Sequence, residues 1–119
     1  MERRRVDWDG KVEYVGEDVV QNQIERYDFE NFQKNNKGYY ETTIKCLLCH
    51  MYNADCVKCI AKVYGPGTCQ DLFNRLVPNF QKIFTTSANA MKFKETDLEE
   101  AKAGLKIIRD YFSNLPKEE

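Results

Sequence analysis

Five cysteines lie between Cys46 and Cys69, and the chain has no others. They read Cys46-Leu-Leu-Cys49-His50, then Cys56-Val-Lys-Cys59, then Cys69: two C-x-x-C pairs six residues apart and a fifth thiol ten positions on. A C-x-x-C pair sets two thiolates a short loop apart, where they can ligate one ion together. Two such pairs supply the four soft donors of a tetrahedral zinc. Cys46, Cys49, Cys56 and Cys59 are the expected ligands, with Cys69 or His50 as alternates for one of them. Four protein ligands leave no open position for water, so one such zinc per chain would be structural and not catalytic. Its removal should largely unfold the region between Cys46 and Cys69, because ligation and folding are coupled. The gap between the pairs is shorter than that of a zinc ribbon, so the spacing does not imply that fold.

Other chemistries fit the same residues less well. An odd number of thiols cannot all pair as disulfides, and clustered cysteines in a reducing compartment are more often metal ligands or catalytic groups. An iron–sulfur cluster could use four of the thiolates, although the spacing follows no common ferredoxin run. Cys46-Leu-Leu-Cys49-His50 is formally a c-type haem attachment motif, with Met51 or Met91 as further axial partners. The second C-x-x-C, the fifth thiol and the want of an export signal oppose it. A thioredoxin-like dithiol would need alternating strands and helices around it, and ordinary buried thiols would not fall at paired spacing. His50, the only histidine, has no nucleophile and carboxylate in a recognisable local arrangement. Gly65-Pro66-Gly67 is a turn and no phosphate loop. No enzyme is expected.

Composition narrows the partners. A chain of 119 residues with a formal charge of −1 is one domain without the polycationic surface that holds a phosphate backbone. No apolar run approaches a membrane span, and no apolar region follows the basic residues at the N-terminus, so a cytoplasmic protein without a membrane partner is expected. Arg3-Arg4-Arg5 and Lys117-Glu118-Glu119 read as solvated ends.

The elements that must position the cysteines read as mainly α: a small helical domain over 1–119, with an N-terminal β-hairpin or tail (1–15), a cysteine-rich metal-binding knuckle (44–69) and a C-terminal amphipathic helix (96–115). Asp9-Gly10 supplies the hairpin turn. A three-residue loop through Lys11, pairing Trp8 with Val12 and Val6 with Tyr14, collects the apolar residues on one face. A helix is expected from Glu17-Asp18 to about Lys34, with Val20, Ile24 and Tyr27 in one stripe and Phe29 and Phe32 in a second. Ile44, Leu47, Leu48 and Met51 have helical spacing, and a further short helix could run through Val63. Thr68 with Asp71 starts another. Pro78 opens one carrying Phe80, Ile83, Phe84 and Met91. Thr96-Asp-Leu-Glu99 is a capping box ahead of Leu98, Ala101, Leu105, Ile108, Phe112 and Leu115, a stripe too short for a coiled coil and suited to a core. Tyr39-Tyr40 and the Phe29/Phe32 pair read as core and less readily as base-stacking platforms.

The cysteine segment and the helical tail after it resemble short phage and prophage proteins that read C-P-x-C, a gap, C-x-x-C-P and a fifth cysteine. Leu47 and Ile60 stand here where those prolines usually sit. The resemblance implies a metal-binding protein of a phage or prophage, which commonly binds a host factor or nucleic acid. The function expected is a small non-enzymatic regulatory protein, stapled by zinc and acting on a protein partner. The alternative is a zinc-containing nucleic-acid-binding regulator, which needs Arg3 to Arg5, Lys37, Lys45, Lys58 and Lys62 on one face. A redox protein with an iron–sulfur centre or c-type haem comes third.

Overall fold

The structure, a computed structural model, describes residues 3–8, 11–47, 71–86 and 89–117. It corrects the mainly α expectation. Two antiparallel sheets, of two and four strands, pack with the helices in a mixed α/β fold. The first sheet pairs β1 (Arg3–Trp8) with β2 (Lys11–Gly16), and helix α1 (Glu17–Arg26) follows at once. A 3-10 turn (Phe29–Asn31) leads to β3 (Gln33–Lys34) and β4 (Tyr39–Thr42). From residue 71 on come α2 (Asp71–Leu76), α3 (Phe80–Ile83), β5 (Phe84–Thr86) and β6 (Met91–Lys94). A second 3-10 turn (Glu95–Asp97) opens into α4 (Leu98–Ser113). The larger sheet has the order β3-β4-β6-β5.

The hairpin takes the other register. Trp8 lies opposite Lys11, Val6 opposite Glu13 and Arg4 opposite Val15. Residues directly opposite share a face, so this pairing puts Val6 and Val15 together on the inner face, where both are buried. The expected register would have set Val15 on the face opposite Val6. What decides is burial of Val15 next to α1, at the cost of leaving Val12 and Tyr14 outside. The arginines form β1, with Arg3 and Arg5 exposed, and the C-terminal tail pairs along it through the Arg5 N–H to the Pro116 carbonyl (2.8 Å) and a bridge between Arg4 and Lys117.

Helix α1 stops at Arg26, short of the expected end at Lys34. The Asp28 carboxylate accepts the Glu30 N–H at 3.0 Å and turns the chain into the 3-10 segment, a local bond that competes with helix continuation. Phe29 and Phe32 are thereby redirected onto the larger sheet, with ring centroids 6.2 and 5.3 Å from Phe93. At the β3–β4 turn, Asn35 Oδ1 accepts the N–H of Lys37 and of Tyr39, and Gly38 takes φ +83°, a conformation that suits a residue without Cβ. The helix expected after Pro78 ends at Ile83. Phe84 enters a strand, and Met91-Lys-Phe-Lys alternates buried and exposed, which is strand period and not helix period.

Helix α4 holds the core together. Ala101, Leu105, Ile108 and Phe112 are fully buried, as is Leu115 to within 6% just beyond the helix, so the stripe serves its own core. The capping box does not form. Asp97 is the N-cap without a side-chain bond, because the preceding 3-10 turn delivers the chain into the helix. Gly104 faces Val77 and Phe84 so closely that a Cβ there would lie 2.8 Å from Val77 Cγ1. An aromatic chain of Tyr27, Phe73, Phe80, Phe84 and Phe93, with neighbouring centroids 4.9–5.7 Å apart, links α1 through α2 and α3 to the sheet.

Candidate functional site

Of the proposed ligands, the described residues include Cys46. Cys49, Cys56, Cys59, Cys69 and His50 lie outside them, as do Lys58, Lys62 and the helices expected through Val63 and from Thr68. Among the described residues, no group of three or more His, Cys, Asp or Glu gathers as metal ligands would.

Cys46 is fully buried and held by one face of α1. Asn22 grips the peptide on both sides of it: Nδ2 donates to the Lys45 carbonyl at 2.7 Å, and Oδ1 accepts the Leu47 N–H at 2.9 Å. Gln23 Nε2 donates to Cys46 Sγ at 3.5 Å and to Asn22 Oδ1 at 3.0 Å. One turn on, the fully buried Arg26 donates to the Ile44 carbonyl at 3.0 Å and to the Ala90 carbonyl at 3.1 Å. Three successive inward polar side chains thus fix residues 44–47, the start of the first C-x-x-C. A side-chain N–H directed at sulfur is the kind of contact that the outer shell of a metal site supplies. Gln23 Oε1 is buried, with no hydrogen-bond partner among the described residues.

Asn22, Gln23 and Arg26 are not among the residues expected from the sequence to form the site. Within α1 they share the buried face of Val19 and Val20, a stripe that in an ordinary amphipathic helix is apolar. Polar groups on a buried stripe require partners, and here the partners are the backbone around Cys46.

A second feature lies on the far side of the hairpin. Val12, Tyr14 and Ile107 are the large hydrophobics exposed among the described residues, at 48%, 39% and 41%. Val12 is opposite Asp7 and Tyr14 opposite Arg5. Arg5 and Asp7 in turn line a groove of about 450 Å³ with Ile107, Tyr111, Leu115 and Pro116. All three exposed residues therefore border one continuous face. Burial, with the Asp7 carboxylate adding to it, raises the Tyr111 pKa above its ordinary value, so the phenol stays neutral through the physiological range. Arg5 and Asp7 form an ion pair at 3.7 Å on its rim.

The three arginines of β1 do not share one face. Arg3 and Arg5 point outward from the hairpin, whereas Arg4 turns inward to Glu17 Oε1 at 2.6 Å and to the Leu115 carbonyl at 2.8 Å. Strand alternation divides the run. Tyr40 stacks on Phe93 with centroids 5.4 Å apart, so it belongs to the core side, while Tyr39 lies under Lys92 Nζ at 5.0 Å on the other face. No helix among the described residues is long and apolar enough to cross a membrane.

No protein-family model, curated protein or solved structure matches the chain.

Proposed function

We propose that this protein is a small non-enzymatic binding module that acts on a protein partner and is stapled by one structural zinc. The observation that carries the binding role is the continuous outer face of Val12, Tyr14, Arg5, Ile107 and Tyr111. Tyrosine and arginine beside aliphatic groups, around an apolar groove, match the composition of interface hot spots more closely than that of ordinary surface. For the staple, the support is the hold on Cys46 by Asn22 and Gln23. The zinc would sit on Cys46, Cys49, Cys56 and Cys59, with Cys69 or His50 as alternates, and would fix the segment that follows β4. A phage or prophage setting, in which such proteins meet host factors, goes with this reading.

The binding role is tested by selecting displayed peptides on the immobilised full-length protein and screening the winners against Ile107→Asp. Enriched peptides should lose about tenfold or more in affinity for that variant, since an anchor in a groove is worth about 1–2 kcal/mol or more. Peptides that bind the variant equally well would place the interaction elsewhere and remove the groove from the account.

A further inference from the structure

Beyond the groove, the hairpin carries a second feature, on its β2 side. Backbone geometry shows where that strand's polar groups go. The Arg5 N–H bonds Pro116 and so points away from β2, which makes Arg5 and Tyr14 a pair not hydrogen-bonded to each other. Tyr14, and Val12 two residues away, therefore direct their N–H and C=O groups to the outer edge of β2. No strand pairs with that edge among the described residues. The edge has no proline and no bulge, and its two outward side chains are the exposed Val12 and Tyr14. Arg3 steadies the Tyr14 ring, with Cζ 5.1 Å from the centroid. Such an edge is a template for another strand.

We infer that β2 pairs antiparallel with β2 of a second copy of this chain, about a two-fold axis at Val12. The alternation of edge bonds restricts a symmetric pairing to axes at even-numbered residues or midway between them. An axis that opposes Val12 to Tyr14 also sets Glu13 against its own copy, placing like charges opposite one another. An axis at Tyr14 sets Glu13 against Val15, which is already buried in the protein's own core. The axis at Val12 opposes Val12 to Val12 and brings position 11 opposite position 13 twice, lysine to glutamate each time. The self-complementary charge pattern selects this register, and the two-fold closes the assembly at a dimer.

Sedimentation velocity of the full-length protein over a concentration series tests this. The wild type should shift from monomer to dimer, and Val12→Arg should remain monomeric with an unchanged circular dichroism spectrum, because Val12 is exposed. Lys11→Glu and Glu13→Lys should each weaken the dimer about tenfold, by turning two attractive cross-strand pairs repulsive. The double variant Lys11→Glu/Glu13→Lys should recover it, and an equimolar mixture of the two single variants should form a heterodimer. A wild type that stays monomeric to about 0.5 mM, weaker than functional interfaces require, would overturn the proposal. So would a dimer indifferent to Val12→Arg, or one whose single charge reversals are not rescued by the double variant. Groove variants such as Ile107→Asp should leave self-association intact, so failure of the edge and failure of the groove are separable.

Discussion

Asn22 spends both halves of one side-chain amide on the backbone around a single cysteine. A carboxamide presents the same donor and acceptor as a peptide group, so on a helix it can serve as a one-residue strand for residues 45–47. Replacing it by alanine leaves the Lys45 carbonyl and the Leu47 N–H without that partner. Asn22→Ala should lower unfolding stability by about 1–2 kcal/mol, the loss of two part-buried hydrogen bonds. If Cys46 is a ligand, the same substitution should cut zinc affinity about 10–100-fold in a chelator competition, as outer-shell losses do. Gln21→Ala is the control. Its Nε2 reaches Glu25 on the exposed face, and its loss should stay within about 0.5 kcal/mol. Unchanged metal affinity in Asn22→Ala would separate the clamp from the metal. At this scale the sequence was legible for residue type and opaque for partner: cysteine spacing announces chemistry, whereas Asn22 and Arg26 declare theirs only when 44–47 folds back on α1.

Among the elements, α4 was the most legible, because its apolar residues recur without interruption and its fold partner is the whole core. The strands were the least legible. Those of the larger sheet are two to four residues long, too short for alternation to outweigh a chance helical spacing such as Phe80, Ile83, Phe84 and Met91. The hairpin shows a different limit: its own hydrophobic pattern favours one register, and the tertiary demand to bury Val15 imposes the other. Gly104 tests how tightly α4 is fitted. In an exposed helix, Gly→Ala is favourable by about 1 kcal/mol. Here the new methyl meets Val77, a buried β-branched residue with little freedom to move. Gly104→Ala should therefore be destabilising by about 1–2 kcal/mol, measured by denaturant unfolding. Val77→Ala should suppress that penalty in a double-mutant cycle. A stabilised Gly104→Ala would show that α4 is packed loosely at this turn.

For the whole molecule, the two ends and the middle of the chain are tied together. The tail after α4 lies along β1, Arg4 reaches the carbonyls of Ser113 and Leu115, and Arg109 donates to the Tyr27 carbonyl at 2.9 Å. These contacts give the marginal hairpin its support and fix the outer face on which the proposed groove and strand edge sit. Residues 44–47 and α2, which flank the rest of the cysteine segment in the sequence, both belong to this frame. The most direct test is elemental analysis of the native full-length protein purified without chelator, with thiols counted under denaturing conditions. About one zinc per chain is expected and, after chelation, all five cysteines as reactive thiols. Protein without zinc and with fewer than five reactive thiols would mean disulfides and contradict the staple, and iron in place of zinc would contradict it in favour of redox chemistry.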